Sequence, residues 1–146
     1  MSLAMTVSER EAFLAALHVG VLSVPGEDGR GPQTMPIWYR YEPGRDVIFF
    51  TYLTSRKMRV LREGTRCSLC AQDEAPPYRY VTIEGPVVSI ATDGLADERR
   101  LIARRYLGQE GGDAWCEATQ ADATKEVVVR VHPEHWLSAD FNKLGQ

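Results

Sequence analysis

The most informative stretch of this chain covers residues 50 to 61 and reads Phe50-Thr51-Tyr52-Leu53-Thr54-Ser55-Arg56-Lys57-Met58-Arg59-Val60-Leu61. It leaves an apolar strand, passes through a short polar turn, and enters a predicted helix with Ser55 at the N-cap position. Arg56 and Lys57 stand in the first turn, where the helix dipole disfavours positive charge by up to about 1 kcal/mol. An anion on the free backbone N–H groups would reverse that cost, so the stretch predicts a phosphate-binding site.

The side chains of this stretch also suit a phosphate monoester, which carries close to two negative charges at neutral pH. Arg56 can hold two oxygens with its guanidinium fork, and Lys57 adds a compact charge. The hydroxyl of Ser55 can donate a further hydrogen bond, and Thr51 can donate to a ligand that lies over the end of its strand. The alternative is a solvated helix start, whose cations pair with Glu63 or with another subunit.

Composition narrows the class of protein. The chain has 146 residues, 44% apolar and 25% charged, which predicts one domain with a real core over residues 1–146. A net charge of −3 argues against nucleic-acid binding, which needs a basic face. No apolar run approaches the about 20 residues of a membrane span, and no signal peptide is recognisable. Three cysteines do not form a disulfide framework, so we expect a cytoplasmic protein. Separately, we expect residues 1–7 to be flexible or tag-derived.

Hydrophobic patterning predicts a mainly β fold with short helices. Six strands are expected at His18–Val24, Gln33–Tyr41, Asp46–Tyr52, Arg66–Gln72, Tyr78–Ile90 and Lys125–His132. Helices are expected at Ser8–Leu17, Arg56–Glu63 and Asp93–Leu107, with a loop over 108–124 and an irregular tail from residue 133. Six strands with mostly short connections favour a six-stranded antiparallel barrel with helices as lids.

Three local features refine the predicted barrel. Pro36 lacks a backbone donor, so the second strand lies at an edge or is bulged there. The third strand is apolar on both faces, which suits the wall of a closed barrel or a subunit interface. The long fifth strand is expected to bend at Gly85-Pro86.

From Leu17 to Ile90 the sequence resembles the pyridoxamine 5′-phosphate oxidase-like superfamily of flavin and deazaflavin split barrels. The oxidases carry a strand ending in Tyr-Thr-Asn, a Gly-Ser-Arg-Lys turn and a helix, matched here by Phe50-Thr51-Tyr52 and Thr54-Ser55-Arg56-Lys57. Pro36-Ile37-Trp38-Tyr39 is similar to a strand of the bacterial branch that binds F420 or FMN. Two further stretches, Pro76 to Gly85 and Val129 to Lys143, are similar to the same branch.

The resemblance implies an FMN-binding split barrel whose Arg-Lys pair grips the cofactor phosphate while Thr51 lies along the cofactor. It also implies a homodimer, with the cofactor in a groove between the two subunits. The cofactor-binding residues that it indicates are Met35, Pro36, Ile37, Trp38, Thr51, Ser55, Arg56, Lys57, Tyr80 and Trp136.

Two aromatic positions stay open at this point. Trp136 is a candidate wall from the second subunit, because an aromatic plane can stack on a tricyclic ring, but it also suits a core position. Trp38 and Tyr39 point to opposite faces of their strand, so only one of them reaches the groove.

The sequence departs from the oxidases in places that concern the vitamin substrate. Tyr80 stands where the oxidases have a Gln, and Met35 and Arg40 stand where they have Arg and Lys. The Arg-rich C-terminal motif of the oxidases is also missing. These differences indicate that the chain is not a true pyridoxamine phosphate oxidase.

The resemblance therefore implies an FMN-binding oxidoreductase that transfers a hydride to or from a small organic substrate. One alternative is an F420-dependent reductase, which needs a longer basic track such as Arg40, Arg59, Arg62 and Arg79. Another is a non-catalytic binder of a flavin, haem or tetrapyrrole. No catalytic residue is predicted, which suits a protein whose cofactor carries the redox chemistry. No metal site is predicted either, because Pro133 breaks any helix that would align His132 with His135.

Overall fold

The computed structural model describes residues 2–145, and its architecture is a mainly β antiparallel split barrel with a few helices. Within that range the strands are β1 (Gly20–Val24), β2 (Gln33–Ile37), β3 (Arg40–Tyr41), β4 (Val47–Tyr52), β5 (Arg66–Gln72), β6 (Arg79–Ala91), β7 (Glu126–Val131) and β8 (His135–Asp140). The helices are α1 (Val7–Ala15), α2 (Leu95–Ala118) and α3 (Gln120–Ala123), with 3₁₀ turns at Arg56–Arg59 and Phe141–Lys143. The predicted fold class is confirmed.

The barrel is split between β2 and β3, which are consecutive along the chain. Hydrogen-bonded neighbours run in the order β2-β1-β5-β6-β7-β4-β3, so β2 and β3 form the two ends of the sheet. The prediction of one strand over Gln33–Tyr41 is therefore wrong, because β2 pairs with β1 whereas β3 pairs with β4. Pro36 lies on the edge strand β2, as predicted, where its missing backbone donor costs the sheet no hydrogen bond.

Strand β8 is the second addition to the six predicted strands. No strand is predicted here, and the segment contains no β-branched residue that would indicate one. The edge of β6 supplies its hydrogen bonds, from Arg79 opposite Asp140 to Glu84 opposite His135. Tertiary pairing thus creates a strand that local propensity does not indicate.

Gly85 marks the point where the edge of β6 passes from β8 to β7. The His132 N–H donates to the Pro86 carbonyl at 3.0 Å, and the Glu134 N–H donates to the Glu84 carbonyl at 2.9 Å. A Cβ atom at Gly85 would lie 1.8 Å from the His132 carbonyl oxygen. The register shift of β6 falls later, between Val87 and Ser89, so the predicted bulge site is displaced.

The core fills the barrel and is closed at one end by α1. Phe13 and Leu14 of that helix join inward residues such as Phe49 of β4 in one buried cluster. The outward face of β4, with Ile48 and Phe50, packs under α2. This helix explains why β4 is apolar on both faces, and β4 lies within the sheet between β7 and β3.

The first helix begins at Val7, one residue earlier than predicted, and ends at Ala15 instead of Leu17. Its capping box uses Thr6 and Glu9, although Ser8 and Glu11 have the same spacing. Upstream contacts select Thr6, because Met5 is buried and its N–H donates to the Ser138 hydroxyl at 3.0 Å. Leu3 and Met5 therefore lie along β8.

Helix α2 extends through most of the predicted loop over 108–124. Its helical dihedrals break once, at Gly108, where φ is 78° and ψ is 171°. A Cβ at Gly112 would lie 2.5 Å from the Arg104 nitrogen, so this glycine lets the second half of the helix pack tightly against the first. Glycines that suggested a loop instead build a helical corner.

We expect Gly85→Ala to lower the free energy of unfolding by about 1–3 kcal/mol or more, because the new methyl group meets backbone that cannot rotate away. Gly31→Ala is the matched control, since its Cβ would meet nothing within 4 Å. Its effect should stay within about 1 kcal/mol of zero. Denaturant unfolding measures both variants, and equal midpoints would contradict the close approach at Gly85.

Candidate functional site

The predicted site residues converge on an open cavity of about 360 Å³ beside the split in the barrel. We call it the Lys57 cavity. It is lined by Pro36, Ile37, Trp38, Phe50, Thr51, Tyr52, Lys57, Trp115 and Glu126. Half of the ten predicted cofactor-binding residues line it: Pro36, Ile37, Trp38, Thr51 and Lys57. These residues lie at the ends of β2 and β4 or just after them, so the fold brings the two sequence motifs together at one place.

One end of the cavity carries a positive charge without a compensating carboxylate. Lys57 Nζ donates to the Thr51 hydroxyl at 2.8 Å, and the Ser55 hydroxyl lies 3.4 Å from the same oxygen. No ion pair among residues 2–145 includes Lys57 or its neighbour Arg56. Burial lowers the pKa of Lys57, because desolvation disfavours the ammonium form. The predicted alternative, pairing with Glu63, is not seen within this chain.

The helix that was expected to present this site is shorter than predicted. Residues Arg56–Arg59 form a single 3₁₀ turn, and Ser55 at its N-cap makes no capping hydrogen bond. The chain turns away because the Arg62 N–H donates to the Thr65 hydroxyl and β5 follows at once. One turn carries almost no dipole, so an anion here would be held by side chains and not by a helix N-terminus.

Aromatic rings form the wall of the cavity, and Trp38 is the residue of its pair that reaches it. Its ring stacks on Tyr106 at a centroid distance of 4.9 Å and meets Trp115 at 5.5 Å. Tyr39 points the other way, is fully buried, and donates its hydroxyl to the Leu14 carbonyl at 2.7 Å. Trp115 also contacts Phe50 at 5.9 Å.

A buried ion pair stands behind this wall and has no signal in the sequence. Arg99 Nε donates to Glu126 Oε1 at 3.0 Å, and the two side chains are only 4% and 6% exposed. The Arg99 guanidinium also donates to the Thr119 hydroxyl at 2.7 Å and lies 4.9 Å from the Trp115 ring centroid. Burial raises the pKa of Glu126, although the charge of Arg99 partly opposes this. Charged residues on a helix and at a strand start usually indicate a solvated surface, so sequence reasoning passed over both.

The other five predicted residues do not line the cavity within one chain. Ser55 and Arg56 immediately precede Lys57 in the sequence, and Met35 packs against the core. Tyr80 and Trp136 lie on β6 and β8, and Trp136 packs against the core with the Arg10 guanidinium 4.6 Å from its ring centroid.

The four arginines of the predicted basic track are each engaged elsewhere. Arg40 holds Glu98 through two hydrogen bonds of 2.6 and 2.8 Å. Arg59 lies 3.9 Å from Glu27, and Arg79 pairs with Asp73 at 2.7 Å. Arg62 donates to the Met58 and Leu61 carbonyls at 2.7 Å each.

Residues 2–145 contain neither a cluster of metal ligands nor a membrane-spanning helix. No group of three or more His, Cys, Asp or Glu side chains in this part of the chain is placed to hold a metal ion. Among its helices, none has both the length and the apolar character needed to span a membrane.

Comparisons with known proteins agree with this fold. A family model described as pyridoxamine 5′-phosphate oxidase matches residues 7–139. A conserved hypothetical protein from Mycobacterium tuberculosis superposes with a TM-score of 0.81 at 26% identity, over 99% of this chain and 91% of that one. An F420 reductase gives a TM-score of 0.70 at 24% identity, over 87% of this chain and 94% of that one.

The fold also matches a protein described as binding FAD and haem, from Mycobacterium smegmatis. Its TM-score is 0.70 at 16% identity, over 94% of this chain and 72% of the relative. No curated protein sequence is significantly similar to this chain.

We expect Glu98→Gln to lower the free energy of unfolding at pH 7 by about 1.5–3 kcal/mol, the range for hydrogen bonds to charged groups. The hydrogen bonds and charge of Arg40 lower the pKa of Glu98, so this stabilisation is present above the ordinary glutamate range and is lost as the pH falls through the lowered value. The difference between variant and wild type should therefore shrink below about pH 4.

Glu42→Gln is the matched control for Glu98→Gln, because Glu42 binds the same arginine but is 60% exposed. Its effect should not exceed about 1 kcal/mol. Denaturant unfolding from pH 3 to 7 tests the pair, and a difference at Glu98 that does not change with pH would contradict the assignment.

Proposed function

Because this chain belongs to the pyridoxamine 5′-phosphate oxidase family, we propose that it binds FMN at the Lys57 cavity. We propose further that it acts as an oxidoreductase on a small organic substrate. The observation that carries the proposal is Lys57 itself, a partly buried cation held by Thr51 with no carboxylate beside it. A cation in that setting gains stability when an anion arrives, because the anion offsets the desolvation that lowers its pKa.

The residues present fit the phosphate of a flavin nucleotide. An ammonium group has three donors, and only one of the Lys57 donors is used by Thr51. Arg56 is exposed next to it and can add a bidentate contact. The Ser55 hydroxyl, at the edge of the same cluster, can donate as well.

The aromatic wall suits a flat ring that extends away from this phosphate. Trp38 and Trp115 provide apolar surface beside the cavity, with Pro36 and Ile37 at the end of β2. When FMN is bound, its ring supplies the hydride chemistry, while the protein orients the ring and excludes water. We assign no catalytic side chain, which agrees with a division of labour between cofactor and protein.

We propose FMN and not F420 as the cofactor of this chain, although one relative is described as an F420 reductase. F420 carries a long anionic tail, and the arginines that a tail would follow already bind partners within the chain. A true pyridoxamine phosphate oxidase is not proposed, because Met35, Tyr80 and Arg40 replace residues of the family pattern. Arg40 is moreover committed to Glu98.

We also propose a homodimer with the cofactor between subunits. A row of outward side chains crosses the sheet at Pro36, Val21, Cys70, Thr82 and Leu137. Val21 is 38% and Leu137 61% exposed. A second subunit on this face would bury that surface and is the proposed source of Tyr80 as a cofactor contact. Trp136 alternates with Leu137 along β8 and packs against the core, so it is not on this face.

Parallel titrations test the choice of cofactor. We expect FMN to bind with micromolar or tighter affinity, to quench tryptophan fluorescence through Trp38 and Trp115, and to bind more tightly than F420. Sedimentation should give twice the 16.4 kDa chain mass. A tighter complex with F420 would reassign the cofactor, and failure of both ligands to bind would contradict the proposed function.

A charge-removal variant tests the phosphate contacts. Arg56→Ala combined with Lys57→Ala should weaken FMN binding by a hundredfold or more, because two charge-assisted contacts are lost, each worth about 1.5–3 kcal/mol. Arg59→Ala is the matched control, since it removes a neighbouring exposed cation whose partner is Glu27. Fluorescence titration with FMN and with riboflavin, which lacks the phosphate, measures the effect. Unchanged FMN affinity in the double variant would place the phosphate elsewhere.

A further inference from the structure

Glu126 is the one acidic side chain among the residues that line the Lys57 cavity. It opens β7 and pairs across the sheet with Tyr52 of β4. Lys57 and Glu126 form no ion pair with each other. The cavity therefore carries a cation and a carboxylate that do not neutralise each other directly.

The two oxygens of Glu126 have different surroundings. Oε1 accepts from Arg99 Nε at 3.0 Å. Oε2 has no hydrogen-bond partner among the described residues, and solvent can still reach it. A carboxylate that is 94% buried and holds one unused oxygen beside a cavity is placed to accept a hydrogen bond from a ligand.

Arg99 fixes the orientation of this carboxylate. Its guanidinium donates to Glu126 and to both the hydroxyl and the carbonyl of Thr119, at 2.7 and 3.2 Å. The same group lies 5.7 Å from the Phe50 ring centroid and 4.9 Å from that of Trp115. Arg99 is thus a positioning residue that holds Glu126 Oε1, and Glu126 lines the cavity together with Phe50 and Trp115.

From this geometry we infer that Glu126 Oε2 accepts a hydrogen bond from the imide N–H of a flavin or deazaflavin ring whose phosphate lies at Lys57. The inference rests on the proposed function and deepens it by naming the side chain that forms a hydrogen bond with the ring. The imide is the ring's one N–H donor in oxidised FMN, and a carboxylate without a proton is an acceptor only. Haem carries no such donor, so this contact also selects flavins against haem.

The test compares FMN with N3-methyl-FMN, in which a methyl group replaces the imide hydrogen. Wild type should bind N3-methyl-FMN at least about tenfold more weakly than FMN, as expected when a hydrogen bond to a charged acceptor is lost. In Glu126→Gln the preference for FMN should fall to about a third of the wild-type ratio or less, because a neutral amide oxygen accepts a weaker hydrogen bond than a carboxylate does. Glu117→Gln, an exposed residue on the neighbouring helix, should keep the wild-type ratio.

A second variant guards against loss of folding in Glu126→Gln. Glu126→Asp keeps the charge beside Arg99 but withdraws it by one methylene group, so its ratio should fall between those of wild type and Glu126→Gln. Equal wild-type affinity for the two ligands, or an unchanged ratio in both variants, would overturn this inference and leave the FMN proposal standing. Absence of FMN binding to wild type would overturn both.

Discussion

The fold depends on the hydrogen bonding of β6, which belongs to both halves of the barrel. Its first part pairs with β5 on one edge and with β8 on the other, and its last part pairs with β7. The passage from β8 to β7 requires the His132 carbonyl to touch the backbone at Gly85, where no side chain fits. Because β7 then pairs with β4, the position of the Lys57 cavity follows from this one crossing.

Charged groups are buried beneath α2, next to the Lys57 cavity. Arg99 and Glu126 lie between that helix and the sheet, and loss of either partner would leave an uncompensated charge at a cost of about 3–5 kcal/mol. The ion pair sets a polar group beside Trp115, which lines the cavity and follows the helical corner at Gly108.

Several elements followed directly from residue patterns, and others did not. The inward alternation of Val127, Val129 and Val131 predicts β7, and the edge position of Pro36 follows from its missing donor. The strand His135–Asp140 was missed because its hydrogen bonds come from a partner more than fifty residues away. The glycines at 108, 111 and 112 predict a loop, because the packing of Gly112 against Arg104 is not visible in local propensity.

The sequence by itself determined the class of fold and the cationic end of the site, because strand periodicity and the order Ser55-Arg56-Lys57 are local properties. It also indicated that Trp38 or Tyr39, but not both, faces the Lys57 cavity. Only the tertiary structure decided which one does so, that a 3₁₀ turn replaces the predicted helix, and that Glu126 lines the same cavity as Lys57. Those outcomes depend on contacts between segments far apart in the chain, whose energies no local pattern encodes.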